Sequence, residues 1–241
     1  MESKVDALVL RTANYGESDK MITLFSLQKG KISAAAKGVR KAKAKLAFAA
    51  QPFCFAEYVL AARGERNTVV SASLTDGFYP LREDISKFYA GACVTGLCDA
   101  LLLDGIVNEE LFLRAVSALK DMCAGDEATV LIGFFVHALA LSGYGLDLSA
   151  CAGCGAVLEG RVYFDAADGC FYCRDCARGA GVSESTIQVL KCCAGEPYEP
   201  ALLGREGKAR AVKLLCAYLR DKTGSSVKAL DEYLELLLAA V

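Results

Sequence analysis

Apolar and polar positions change their period near residue 80. Before it, apolar residues come in short clusters separated by turn residues, the layout of β-strands. Lys4–Thr12 and Lys20–Ser26 are apolar-rich, and Gln28-Lys29-Gly30-Lys31 supplies a hairpin turn with glycine at its tip. Lys31–Lys37 predicts a third strand of small residues, a surface that another backbone can approach closely. Pro52–Ala62 alternates, with Phe53 and Phe55 set against Cys54 and Ala56. Gly64-Glu65-Arg66-Asn67 turns, and Thr68–Leu74 completes a fifth strand. Five short antiparallel strands suit a small barrel, and the OB-fold is the commonest five-stranded solution.

After Pro80 the period becomes 3.6. Ile85, Phe88, Tyr89 and Ala92 line one face of a helix ending near Gly105. Asn108 is a favourable N-cap, with Glu109 and Glu110 in the first turn, and Leu111, Ala115, Leu119 and Met122 form the next stripe. The run Ala128–Leu141, interrupted by His137, is shorter than the ~20 apolar residues that span a bilayer and predicts a buried helix. Two helices follow a cysteine-rich segment, one marked by Ala211, Leu214, Leu215, Tyr218 and Leu219, the other by Val227, Leu230, Leu234 and Leu237. The expected fold is α+β and multidomain. A five-stranded OB-fold β-barrel spans residues 1–80, and an all-α helical domain spans 81–241, with a four-cysteine, zinc-ribbon-like hairpin inserted at 147–180.

Composition sharpens this division. With 54% apolar and 23% charged residues the chain is that of a packed protein, not a disordered one. Met-Glu-Ser-Lys-Val-Asp at the start lacks the layout of a signal peptide, so the expected location is the cytoplasm. The expected state of most of the twelve cysteines is reduced, with Cys54, Cys93, Cys98, Cys123 and Cys216 acting as small hydrophobes. The net charge of −2 conceals an asymmetry: residues 1–80 carry 12 Lys+Arg against 7 Asp+Glu, and the remainder 15 against 22. Only the first part is suited to phosphates.

Two constellations carry the chemistry. Cys151-Ala-Gly-Cys154 and Cys173-Arg-Asp-Cys176 are 18 residues apart, the two-knuckle spacing of a tetrahedral zinc site. Gly155 follows the first pair, where a left-handed residue exposes N–H groups to sulfur, and Asp168-Gly169 signals a hairpin joining the knuckles. Four thiolates saturate Zn²⁺, so one structural zinc ion is expected. The competing reading is a set of unmetallated thiols. Cys170 creates a Cys-x-x-Cys-x-x-Cys run with faint iron–sulfur character, but the outer pairs already satisfy the commoner arrangement, and Cys170 is read as a bystander.

The second constellation is Lys29, Lys31, Lys37, Arg40, Lys41, Lys43 and Lys45, a stretch without an acid. Such a strip binds phosphate backbones through counterion release, largely regardless of sequence. A loop that serves only solubility usually mixes its signs. Tyr15 is a candidate stacking residue, and so is Phe25, although core packing suits Phe25 better.

Ala7-Leu-Val-Leu-Arg11, Tyr15-Gly-Glu-Ser-Asp19, Gly30-Lys-Ile-Ser-Ala34 and Ala36-Lys-Gly-Val-Arg40 together resemble the N-terminal signature of the RecO family of bacterial recombination mediators. The similarity continues through Gln51-Pro-Phe53, Pro80-Leu-Arg82 and the late cysteine pairs. The resemblance implies an OB-fold followed by a helical domain with a zinc-ribbon-like insertion. It also implies binding of single- and double-stranded DNA, ATP-independent strand annealing, and work with RecR and the C-terminal tail of single-strand-binding protein in recombinational DNA repair. By position, Lys37 and Arg40 fall in the family's basic block, with Arg11 and the lysines near Lys41 as additions; Lys41-Ala-Lys-Ala-Lys45 departs from the residues common there. A bacterial, nucleoid-associated location is implied as well.

An enzyme is disfavoured. His137, the one histidine, lies in an apolar helix, and no Gly-x4-Gly-Lys-Ser/Thr phosphate loop occurs. The alternative from another class is a zinc-containing RNA-binding or scaffold protein without annealing activity.

Overall fold

The computed structural model describes residues 2–64, 66–195 and 203–239. Its first five strands are β1 (Glu2–Tyr15), β2 (Asp19–Ser26), β3 (Gly30–Ala36), β4 (Phe55–Arg63) and β5 (Arg66–Asp76). They close a barrel in the order β1-β2-β3-β5-β4. All pairings are antiparallel except the short parallel one between β3 and β5, where Ala34 faces Asn67 and Ala35 faces Thr68. The five predicted strands are all present. Glu65, in the expected turn, lies outside the described residues.

Alternation decides what fills the barrel. Val5, Ala7 and Val9 of β1, Ile22 and Leu24 of β2, Ala34 and Ala36 of β3, and Ala56, Tyr58 and Leu60 of β4 point inward and are buried together. A short 3-10 helix, Phe48–Ala50, contributes Ala49 and Ala50 to this core, and the Tyr58 hydroxyl donates to the Ala49 carbonyl at 2.8 Å. The other face of β1 is also covered. Leu8 and Leu10 are buried, and a helix packs against β1, so this strand reads as a continuous apolar run where a half-exposed strand would alternate.

That helix is α2 (Ile85–Leu101), preceded by a single turn, α1 (Pro80–Glu83), and followed by α3 (Glu109–Ala124). Asp84 caps α2 by accepting from the Lys87 N–H, and Asn108 caps α3 by accepting from the Leu111 N–H at 3.0 Å, as its position predicts. Phe112 of α3 meets Phe25 and Phe55 edge-on, at 5.3 and 5.9 Å between ring centres. Compactness therefore divides the chain at Gly125, giving units of residues 1–125 and 126–241. The expected division after residue 80 marks the change of period, and the first two long helices belong with the barrel.

The second unit contains α4 (Glu127–Leu141), α5 (Glu184–Cys193), α6 (Arg205–Thr223) and α7 (Lys228–Ala239). α4 packs against α5 and α6, and α6 packs against α7. His137 is half-buried, its Nδ1 2.7 Å from the Gly133 carbonyl. Between α4 and α5 lie β6 (Val162–Asp165), β7 (Cys170–Tyr172) and β8 (Ala180–Val182), a small sheet in the order β7-β6-β8. α5 and β8 are additions to the sequence reading.

Asp126 organises this unit. It caps α4 at the Ala128 N–H, accepts from Thr129 Oγ1 at 2.6 Å, and pairs with Lys208 of α6. Burial works to raise its pKa, but the hydrogen bonds from Lys208 and Thr129 prevail and hold it below the usual value. An Asp126→Ala change should destabilise the protein by about 1–2 kcal/mol, the scale of a lost cap. Because the folded pKa is depressed, this stabilisation is complete above the ordinary carboxylate range. It fades as pH falls through that range, so wild-type and variant melting curves should converge in acid. Curves separated equally at pH 3 and pH 7 would contradict this account.

Candidate metal centre and nucleic-acid interface

The β6–β7 hairpin brings the cysteine pairs together. Asp165 faces Cys170 across it, Gly169 N–H returns to the Asp165 carbonyl, and the Asp168 carboxylate accepts from Tyr172 Oη at 2.8 Å. Phe164 stacks on Phe171 at 4.7 Å and meets Tyr218 of α6 edge-on at 5.4 Å, which fastens the insertion to the helices. Ahead of it, the Cys151 N–H bonds the Ala156 carbonyl and the Gly155 N–H bonds the Cys151 carbonyl, folding the first knuckle into a tight loop. Gly155 has φ of 73°, the left-handed conformation its position predicts.

The four sulfurs of Cys151, Cys154, Cys173 and Cys176 lie within 4.8 Å of one another, and those of Cys154 and Cys173 are 3.7 Å apart. A tetrahedron of thiolates with bonds of about 2.3 Å to a central metal has edges of about 3.8 Å. The donor set therefore fits one metal ion. Cys151 is buried and accepts the Cys173 N–H at 3.2 Å. That bond, aided by the N–H groups of Cys154 and Gly153, lowers its thiol to about 6. Hydrogen bonds with Cys154 and Cys173 push Cys176 up to about 12. Four thiolates cannot all ionise at such separations without a cation among them. A divalent ion supplies that charge in place of protons. Cys170 stands outside the four. Its thiol donates to the Asp168 carbonyl, and burial together with Asp168 and Asp147 raises its pKa.

The basic residues separate into two groups. Lys31 is drawn inward: its side chain is 16% exposed, donates to the Asp99 carbonyl at 2.9 Å, and lies 3.6 and 3.5 Å from the Asp99 and Asp104 carboxylates. Arg11, though 65% exposed, pairs with Asp99 at 2.8 Å, and Lys29 donates to Ser3 Oγ at 2.7 Å. These three charges are engaged within the unit. Lys37, Arg40, Lys41, Lys43 and Lys45 are all exposed and form no salt bridge among the described residues. They occupy the segment after β3, which is tied to the β1–β2 turn by three bonds. Arg40 N–H reaches the Ser18 carbonyl, the Arg40 guanidinium the Gly16 carbonyl, and Gly38 N–H the Asp19 carboxylate. Gly38 N–H is the main cause that lowers the Asp19 pKa, with Ser18, Lys37 and Lys41 adding to it against desolvation. Beside this segment Tyr15 ends β1 with 59% of its surface open, whereas Phe25 is wholly buried against Phe112. Of the two stacking candidates only Tyr15 is accessible. Sequence reading missed two further exposed cations, Arg63 and Arg66, at the β4–β5 turn. Their signal was one arginine beside the predicted Gly64–Asn67 turn and one within it.

Among the described residues no helix is long and apolar enough to cross a membrane. Residues 1–78 match the family model described as Recombination protein O N terminal, and residues 82–231 match that described as Recombination protein O C terminal. The chain is 36% identical over 193 residues to the DNA repair protein RecO of Desulforamulus reducens, covering 78% of this chain and 75% of that one. It is 32% identical over 235 residues to the DNA repair protein RecO of Myxococcus xanthus, covering 94% of each. With a closed five-stranded barrel, a helical second unit and both family models matched in order, this chain belongs to the RecO family.

Proposed function

We propose that this protein is a non-enzymatic DNA-binding mediator of recombinational repair. It anneals complementary strands without ATP and, with RecR, helps load recombinase onto strands coated with single-strand-binding protein. The observation that carries the reading is the exposed set Lys37, Arg40, Lys41, Lys43 and Lys45, which forms no salt bridge among the described residues and gathers at the end of a five-stranded barrel. Phosphate contacts of this kind bind DNA of any sequence, as a mediator requires. The metal is assigned as Zn²⁺, because four thiolates at tetrahedral spacing leave no open position and suit a structural ion.

The acidic tail of single-strand-binding protein is assigned to the second unit. Support comes from an open groove of about 1030 Å³ bounded by Phe164, Val182, Leu214 and Tyr218. Arg161, Arg210 and Lys213 line it together with Glu184 and Asp221, and Arg210 also pairs with Glu206. The location follows from this role: a protein that works on bacterial DNA acts in the cytoplasm, at the nucleoid.

The test is annealing of two labelled complementary strands, one coated with the cognate single-strand-binding protein, with and without RecR and with magnesium present. Pairing of intact strands, unchanged by omission of ATP, is expected. Magnesium-dependent loss of the label would make the protein a nuclease, and retention of RNA without pairing would favour the RNA-binding alternative.

A further inference from the structure

The loop joining α2 to α3 leaves three large apolar side chains, Leu103, Ile106 and Val107, at least half exposed. Scattered exposures need no explanation, but three in one short loop make a patch of the kind that marks contact with another molecule. The loop does not hang free. Gly105 N–H donates to the Lys31 carbonyl at 2.9 Å, Ile106 N–H returns to the Leu103 carbonyl at 3.3 Å, and the Asp104 carboxylate lies 3.5 Å from Lys31 Nζ. Gly30, left-handed at φ of 65°, leaves the space that the Ile106 carbonyl occupies, and any side chain there would collide with it. A surface held in place before contact costs less to order when a partner arrives.

Charge decides what kind of partner fits. Asp104 is almost wholly exposed, and Glu109 and Glu110 stand exposed in the first turn of α3. At the β2–β3 turn Lys31 is shared between Asp99 and Asp104, and Lys29 is engaged by Ser3 Oγ; Arg114 pairs with Glu110. The border of the patch is therefore acidic. It repels DNA and anionic lipid, and a second copy would set acids against acids. We propose that Leu103, Ile106 and Val107 dock a protein whose contact surface is apolar and bordered by lysine or arginine, and that this protein is RecR. The surface is argued from the loop; the choice of RecR rests on the mediator reading above. The patch lies at the β2–β3 end of the barrel and the exposed cations at the β1–β2 end. The eight residues of β2 separate them, about 26 Å at roughly 3.3 Å per residue. That exceeds the Debye length of about 10 Å at 0.1 M salt, so the partner and DNA can be held at once.

The test is surface plasmon resonance of the full chain over immobilised RecR, with binding to an oligothymidylate of about 16 nucleotides as the control. Leu103→Ser/Ile106→Ser/Val107→Ser should weaken RecR binding at least about tenfold, since a few buried anchors carry most of an interface's affinity. Its DNA affinity should stay that of the wild type. Glu109→Lys should weaken RecR binding several-fold at about 50 mM salt, chiefly through slower association, and the difference should vanish at about 1 M.

Full RecR binding by the serine variant, or tighter binding by Glu109→Lys, would overturn the docking surface. So would a wild-type dimer in sedimentation that the serine variant dissolves, because a second copy would then cover the patch. If the serine variant loses both RecR and DNA, Glu109→Lys decides alone. If wild type binds DNA but not RecR, the RecR part of the reading falls together with this inference. If RecR binds wild type and both variants alike, the reading stands and only this inference falls.

Discussion

A Cys151→Ser protein should lose its metal and melt well below wild type. Cys151 is the buried member of the four, and its sulfur also accepts the Cys173 N–H, so it joins the two knuckles with or without an ion. Serine keeps a hydrogen-bond acceptor but is a poor zinc ligand, and a three-thiolate site opens to water. Structural zinc binds finger peptides with about 10–16 kcal/mol, which is an upper bound here because the insertion has a core of its own. That core is Val162, Phe164 and Phe171, with Tyr218 packed against it. A loss of about 4 kcal/mol or more is expected, in the range where removal of a metal stands apart from ordinary substitutions. Elemental analysis should find about one zinc per wild-type chain and less than about a tenth of that in the variant. Cys170→Ser, outside the four, should keep its zinc. Iron in the wild type, or no metal in freshly reduced protein, would overturn the assignment.

The parts of the fold legible in the sequence were those set by local rules. Period-2 alternation in Pro52–Ala62 gave β4, Asn108 and Gly155 took their expected conformations, and the cysteine spacing brought four sulfurs together. The parts that escaped depend on distant residues. The acid-free run from Lys29 to Lys45 treats its seven charges as equals, but Asp99 and Asp104 engage Lys31, and Asp99 also takes Arg11. No local pattern reveals partners 68 residues away. Arg63 and Arg66 were missed for the converse reason, since only strand pairing sets the two opposite each other and Arg66 beside Ser33 of β3. α5 escaped because its buried residues, Thr186, Ile187, Val189 and Leu190, are mostly β-branched and make a short, strand-like string. β8, Ala-Gly-Val, has too little side chain to carry a pattern at all.

The annealing rate itself should depend on the exposed group of cations and hardly on ATP. The sequence holds no Gly-x4-Gly-Lys-Ser/Thr loop, so strand pairing is proposed to run on binding energy alone. Stacking supplies about 1.4 kcal/mol per base-pair step once a duplex has nucleated, and the obstacle is the earlier encounter of two polyanions. A protein that neutralises several phosphates on each strand lowers that obstacle and raises the encounter rate. Lys37 and Arg40 stand where the segment after β3 meets the β1–β2 turn, held by the Arg40 bonds to Ser18 and Gly16, so their charges are fixed in place. Reversing both to glutamate removes two contacts and adds two repulsions. At about 50 mM salt this should slow annealing at least about tenfold. The gap should narrow as salt rises and the Debye length shrinks from about 10 Å at 0.1 M to about 3 Å at 1 M. If the basic segment only tethers the protein to DNA, protein below saturation would anneal equally fast with either version, and that outcome would reject the mechanism.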